Sequence, residues 1–308
     1  MTMSKKIIFF GNERLATGTT TNCIIASSLL KAGFEIAAIV INKSEIASRQ
    51  AQEIEIETFA KKHDIPVYSP KTVSSIIDDL KKYNAPLAVL VAYGKIIPEK
   101  VISLFPRGIV NVHPSLLPLH RGPTPIESTI LGGDKKTGVS IMQLVKEMDA
   151  GPVYAQKSID LEETISKQDL CDQLSEMGAK LLLDCLPKII DNSLEPINQD
   201  ERRATYDQKI LKSSSSLTWN KPTIQILREI RAFYGWPGSK TIINDIEITI
   251  INAHSSIEHG NPGTIFIAKD KSLGIYTNDG AIIIDILKPA GKKSMGSPSF
   301  INGYLKNL

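Results

Sequence analysis

The chain has 308 residues, more than one hydrophobic core usually serves, so two domains of unequal size are expected. Hydrophobic residues make up 42% and charged residues 22%, an ordinary globular composition that excludes a disordered or fibrous chain. The net charge of +3 is local, with 22 basic and 22 acidic residues in 1–191 against 14 and 11 in 192–308, an excess too small to establish nucleic-acid binding by itself.

After the charged start MTMSKK, the apolar run Ile7–Phe10 stops at Gly11. It is too short for a signal segment or a membrane span and reads as a first buried strand, so no membrane association is expected. Further short β-branched runs follow at Ile36–Ile41, Leu87–Val91 and Ile109–Val112, separated by stretches of helical character such as Asn22–Lys31 and Ser74–Lys82. That alternation predicts an α/β domain with a doubly wound, mostly parallel sheet, whose ligands sit beyond the carboxyl ends of the strands. Cys23, Cys171 and Cys185 are odd in number, far apart and outside any C-x-x-C spacing. They read as reduced thiols of a cytoplasmic protein, with no metal site.

At Ile109–Pro118 (IVNVHPSLLP), Asn111 and His113 stand two apart on an extended backbone and so share a face at a strand's carboxyl end. An amide and an imidazole suit a reaction that passes through an oxyanion. Asp149, in Lys146–Pro152 (KEMDAGP), is the carboxylate best able to join them, because Ala150-Gly151-Pro152 marks a tight loop. His120 in the polar loop Leu119–Gly122 reads as solvent-exposed, with Arg121 beside it suited to an anionic ligand. His63, His254 and His259 have no partners at ligand spacing. Gly11 and Gly18 do not make G-x-G-x-x-G, so nothing supports a dinucleotide site.

Glu176–Ile190 has apolar positions at helical spacing and closes the first domain, expected over 1–191. Residues 192–208 read as a linker, and 209–308 as a second domain. There the amphipathic stretch Ile224–Phe233 precedes strand-like runs at Thr241–Ile243, Ile246–Ile251, Gly263–Ile267, Gly274–Tyr276 and Ala281–Leu287, with Asn-Asp, Asn-Pro-Gly and Asn-Asp-Gly turns between them. The pattern fits a small, OB-like β-barrel, in which Trp219, Phe233 and Trp236 read as core.

The run NVHPSLLPLHRGPTPIESTILGGDKKTGVSIMQLVKEMDAGPV resembles the signature block of the folate-dependent formyltransferases: N-x-H-P-S-L-L-P, R-G, G-x-[ST], then a D-x-G-P loop. The resemblance implies a Rossmann-like formyltransferase domain with Asn111, His113 and Asp149 as catalytic trio and Ser115, Leu116, Leu117 and Pro118 against the folate. Val91–Pro98 (VAYGKIIP) is similar to the stretch that lines the folate cleft with backbone groups, implying Ala92, Tyr93 and Gly94. ATYDQK at Ala204–Lys209, LTW at Leu217–Trp219, IRAFYGWPG at Ile230–Gly238, LKPAGKKSM at Leu287–Met295 and FINGY at Phe300–Tyr304 resemble the C-terminal domain of those members whose acceptor is initiator methionyl-tRNA. The implied donor is 10-formyltetrahydrofolate, the implied amine is the α-amino group of the esterified methionine, and a monomer is the default.

Contact with tRNA is then expected from Lys209, Lys212, Lys292 and Lys293. The chain departs from the family pattern twice. Asn12-Glu13-Arg14-Leu15-Ala16 follows Gly11 where the family has G-[TS]-P-x-F-[AS]. Asn42–Glu57 lacks the Gly and Pro of the family's acceptor-stem loop, carries four glutamates, and leaves Lys43 and Arg49 as its basic candidates. The alternatives are a formyltransferase acting on a small amine, such as a sugar nucleotide or glycinamide ribonucleotide, and a catalytically silent RNA-binding relative.

Overall fold

A computed structural model describes residues 4–43 and 54–305. The chain divides into two compact units, the first comprising Met1–Ile126, Lys135–Glu162 and Gln168–Gln208, the second Glu127–Asp134, Glu163–Lys167 and Lys209–Leu308.

In chain order the first part runs β1 (Lys6–Gly11), α1 (Ile24–Lys31), β2 (Glu35–Val40), α2 (Glu55–Lys62), β3 (Val67–Tyr68), α3 (Ile77–Lys82), β4 (Leu87–Val91), α4 (Glu99–Ile102) and β5 (Ile109–His113). It continues with α5 (Pro125–Gly132), β6 (Lys136–Gln143), β7 (Val153–Asp160) and α6 (Lys167–Ile190). One sheet results, ordered β3-β2-β1-β4-β5-β6-β7. The pairings from β3 through β5 are parallel, and β6 and β7 are added antiparallel. All residues of β4 and β5 are buried, as continuous apolar runs covered on both faces require. Strand order reverses between β1 and β4, so the crevice for ligands opens beyond their carboxyl ends, next to that of β5.

Helix α1 starts without a capping side chain of its own, because Cys23 before it has a left-handed backbone (φ 49°) and no hydroxyl or carboxylate. Glu13 supplies the cap from another loop: its carboxylate accepts the backbone N–H of Ile25 at 2.9 Å and of Ala26 at 2.7 Å. A negative group is favoured at a helix N-terminus. Yet Glu13 is only 2% exposed, and burial outweighs the two amides, raising its carboxyl from 4.5 to about 7. The absence of the family's proline and phenylalanine after Gly11 therefore coincides with a buried carboxyl that knits the end of β1 to α1.

The second unit holds α7 (Thr223–Ala232), β8 (Ser239–Ile243), β9 (Ile246–Ser256), β10 (Ile265–Ile267), β11 (Leu273–Tyr276), β12 (Ala281–Pro289), β13 (Met295–Gly296) and α8 (Ser297–Tyr304). Its antiparallel sheet is ordered β10-β11-β12-β9-β8, with β13 on β12. The expected barrel takes the form of a curled half-barrel, and no ladder joins β8 to β10 among the described residues. Asn244 and Asp245, both at positive φ (49° and 60°), form the tight turn between β8 and β9. Ile226, Ile230, Ile248, Ile250, Ile282 and Phe300 fill its core, with Trp219 packed at the margin. Residues 127–134 and 163–167 belong to this unit: the buried Lys167–Glu127 pair at 3.7 Å links the two segments, and Arg228 of α7 pairs with Glu163 at 2.6 Å.

Residues 192–208, expected as a linker, lie along the first unit as a strap: Ile197 bridges Val153 antiparallel and Tyr206 bridges Arg121 parallel. The three cysteines are buried thiols. No described helix is long and apolar enough to cross a membrane.

Because the Glu13 carboxyl in the folded chain holds its proton to about 7, the native state binds one proton more than the unfolded state between pH 4.5 and that value. Stability therefore falls as pH rises through this window. Glu13→Gln is expected to flatten that slope, shrinking the change in unfolding free energy between acidic and neutral pH by about 2–3 kcal/mol in urea titrations at both pH values.

Candidate active site

β5 places Asn111 and His113 on one face at its carboxyl end, with Asn111 opposite Met142 and His113 opposite Ser140 of β6. Both are nearly buried, at 6% and 4% exposure. The Nε2 atom of His113 lies 2.9 Å from the backbone oxygen of His120. A carbonyl can only accept, so Nε2 carries the proton and donates, and Nδ1 is the ring nitrogen left to gain or lose one. Nδ1 faces Asp149 Oδ1 at 3.7 Å. That separation is longer than a hydrogen bond, so the two groups border the same space without closing on each other. Among the described residues the side-chain amide of Asn111 takes no protein hydrogen bond.

Asp149 is held from several sides. Its Oδ2 accepts the backbone N–H of Gly122 at 2.8 Å, and its backbone sits in the left-handed region (φ 50°) that aspartate tolerates. The turn beyond it requires glycine, since a Cβ on Gly151 would stand 1.9 Å from the Gln143 oxygen. The Gln199 side chain donates to the Asp149 oxygen at 2.8 Å and to the Gly151 oxygen at 2.7 Å.

The Ser115–Pro118 tetrapeptide is stitched from inside. Ser140 Oγ donates to the Ser115 oxygen at 2.7 Å and accepts the Leu117 N–H at 3.1 Å, while Gln156 Nε2 donates to the Leu117 oxygen at 2.7 Å. Ser115 Oγ donates to the Leu119 oxygen at 2.6 Å, and the Pro118 oxygen accepts the Thr205 N–H at 3.2 Å. Gly138 leaves room for the half-buried Leu116, whose Cδ2 would stand 2.7 Å from a Cβ there. The G-x-[ST] motif thus has a local reason in Gly138 and Ser140. With most of its backbone groups engaged and Ser115, Leu117 and Pro118 buried, the tetrapeptide leaves Leu116 as its partly exposed side chain.

The stretch after β4 is the opposite. Ala92 has a left-handed backbone (φ 51°), Gly94 is exposed, and among the described residues the backbone N–H and C=O groups of Tyr93 and Gly94 take no protein partner. A flat heterocycle with donors and acceptors on its edge would fit such free backbone groups. The Tyr93 side chain is core, stacked edge-on to Phe10 at 5.6 Å, and burial raises its hydroxyl pKa.

Two sequence expectations are corrected here. His120 is not a free loop histidine: its Nδ1 pairs with Asp207 Oδ1 at 3.0 Å, and its N–H donates to Thr205 Oγ1 at 2.8 Å. Nor is Arg121 a seat for an anion. It is 0% exposed and its guanidinium is spent on Glu201, Gln199 and Tyr206. Sequence alone does not place Gln199, Thr205, Asp207 or Gln156 in the site, because each meets it from a distant part of the chain.

Lys43 is paired with Glu57 at 2.7 Å, and Arg49 lies outside the described residues. Lys209, Lys212, Lys292 and Lys293 are exposed in the second unit and take no ion pair among the described residues. No described cluster of three or more His, Cys, Asp or Glu side chains could hold a metal ion.

Comparison with known proteins identifies the family. Residues 5–186 match the formyl transferase family model, and residues 209–305 match that of the formyl transferase C-terminal domain. The chain is 33% identical over 310 aligned positions, 98% of its length and 97% of the relative's, to a methionyl-tRNA formyltransferase of Staphylococcus aureus. A solved methionyl-tRNA formyltransferase from Clostridium thermocellum shares the fold at TM-score 0.53 and 17% identity, over 91% of this chain and 98% of that one. An N-formyltransferase from Helicobacter canadensis, solved with folinic acid and dTDP-3-aminofucose, superposes at TM-score 0.67 with 20% identity, over 92% and 99%.

Ser140→Ala is expected to leave the Leu117 N–H and the Ser115 carbonyl unpartnered in a buried turn. Equilibrium denaturation should show a loss of about 2 kcal/mol.

Proposed function

The chain belongs to the formyl transferase family, and from that premise we propose that it transfers the formyl group of 10-formyltetrahydrofolate to the α-amino group of methionyl-initiator tRNA. What carries the acceptor assignment is the 33% identity to a methionyl-tRNA formyltransferase, sustained across both units and nearly all of each chain. The sugar-nucleotide transferase superposes more closely than the Clostridium enzyme, but at 20% identity that likeness speaks to fold and not to substrate.

In this reading the first unit binds the donor and performs the chemistry. The free backbone groups of Tyr93 and Gly94, with Ala92 beside them, meet the folate heterocycle, and Ser115, Leu116, Leu117 and Pro118 form the wall against it. An α-amino group titrates near ~8 and is more acidic beside an ester, so much of it is already nucleophilic at neutral pH and needs no strong base. Its nitrogen attacks the formyl carbon, and the carbonyl electron pair moves onto oxygen. The Asn111 amide, whose N–H groups are not consumed by the protein, donates to that oxyanion, and His113 joins it through Nδ1 only once that atom has taken the proton of the amine. As the oxyanion collapses, the bond to N10 of the folate breaks, and the proton lost by the amine is relayed to N10. His113 Nδ1 is the ring atom able to carry it, since Nε2 is committed to the His120 carbonyl. Asp149 stands beside Nδ1 to orient the ring and stabilise its positive charge. The second unit docks the tRNA through Lys209, Lys212, Lys292 and Lys293, with Lys43 and Arg49 as further contacts.

Removing one oxyanion donor typically costs roughly 10²–10³ in rate. Asn111→Ala should lower kcat by about that factor, measured with 10-formyltetrahydrofolate and charged initiator tRNA. Charged elongator tRNA and a dTDP-amino sugar serve as competing acceptors. Formylation of the amino sugar in place of the initiator tRNA would overturn the assignment.

A further inference from the structure

The side-chain amide of Gln199 has its hydrogen-bonding capacity filled, and by partners of opposite kind. Its NH₂ group donates to the oxygens of Asp149 (2.8 Å) and Gly151 (2.7 Å), while its Oε1 accepts Nε (3.1 Å) and Nη2 (2.9 Å) of Arg121. Carbonyls only accept and a guanidinium only donates, so the amide between them is locked in one orientation. Glutamate would satisfy Arg121 and repel the two carbonyls. The same guanidinium is anchored at its other edge, with Nη1 donating to Glu201 at 2.9 Å and to the Tyr206 hydroxyl at 2.7 Å, and Nη2 to Glu201 at 2.6 Å.

A purely structural role for this group is already discharged by other contacts. Glu201 and Tyr206 fasten the strap to Arg121, and the two backbone hydrogen bonds between Ile197 and Val153, both 2.8 Å, fasten it beyond the loop. Among the described residues of the strap, Gln199 is the one whose side chain is bonded to the turn at 149–151, whose carboxylate stands 3.7 Å from His113 Nδ1. We propose that Gln199, held by Arg121, is a positioning residue for formyl transfer. It draws the Asp149 turn toward the strap and so sets the carboxylate's place between the Gly122 N–H and the His113 ring. The inference rests on the reading of Asp149 as a participant in the reaction.

The test uses the full chain with Gln199→Glu and Gln199→Met. Glutamate keeps the bulk and the bond to Arg121 while losing both donors, and methionine keeps the bulk alone, so the second variant decides if the first fails to fold. Both should lower kcat by roughly ten- to a hundredfold, the scale of a misplaced catalytic group, with KM for folate and tRNA within about twofold. Hydrogen exchange at the Gly122 amide, which reports the Asp149 contact whether or not any substrate turns over, should quicken by at least about tenfold. Unchanged kcat in the folded variants would overturn the proposal. So would a lowered kcat with wild-type exchange at Gly122, or a drop in melting temperature with kcat intact. A wild-type protein that formylates no tRNA would instead sink the functional reading and leave Gly122 exchange to decide the placement of the loop.

Discussion

A backbone carbonyl fixes the state of the central imidazole. The His120 oxygen can only accept, so His113 must present a proton from Nε2, and its proton traffic is confined to Nδ1, on the side of Asp149. Everything else around the site serves this arrangement. The 118–122 loop must hold that carbonyl in place, and it does so by pairing with the strap at Thr205 and Asp207. The opposing loop must hold the carboxylate, and it does so through Gly122 and Gln199. Both loops are thus bound to the same short stretch of chain between the sheet and the second unit.

The sheet supplies the rest by its order. Continuous apolar strands bury β4 and β5 on both faces, leaving polar residues affordable only at their carboxyl ends, where the ladder stops. Asn111 and His113 occupy the end of β5, and the unpaired backbone of Tyr93 and Gly94 follows the end of β4. Antiparallel β6 then brings Ser140 opposite His113, so one hydroxyl can bind the turn that leaves β5. Buried polar groups of this kind are costly unless satisfied, and the Ser115 and Ser140 hydroxyls each donate to a backbone carbonyl.

Much of this could be read along the chain. The apolar runs located β1, β2, β4 and β5, and the Asn-Asp turn located the β8–β9 hairpin, because both signals depend on near neighbours. The two-residue spacing of Asn111 and His113 put them on one face, and the glycine after Asp149 marked a tight turn. β6 and β7 escaped notice because the exposed, polar β7 lacks an apolar period and Gly138 interrupts β6. The barrel pattern carried no sign of where closure stops, since that depends on pairings between distant strands. The partners of the site were hidden for the same reason: Gln199 lies 50 residues from Asp149, and Asp207 lies 87 from His120. His120 and Arg121 were read from their neighbours as exposed and anion-seeking, whereas distant carboxylates claim both.

Formyl transfer at this site depends on where the formyl oxygen sits when the donor is bound. A crystal structure of the protein with a non-transferable formyl-folate analogue would place that atom directly. It is predicted within about 2.7–3.1 Å of the Asn111 amide nitrogen, with His113 Nδ1 and Asp149 beside the formyl carbon and the His113–His120 bond intact. An analogue bound with its formyl group turned away from β5, or a His113 ring flipped so that Nδ1 takes the His120 carbonyl, would contradict it.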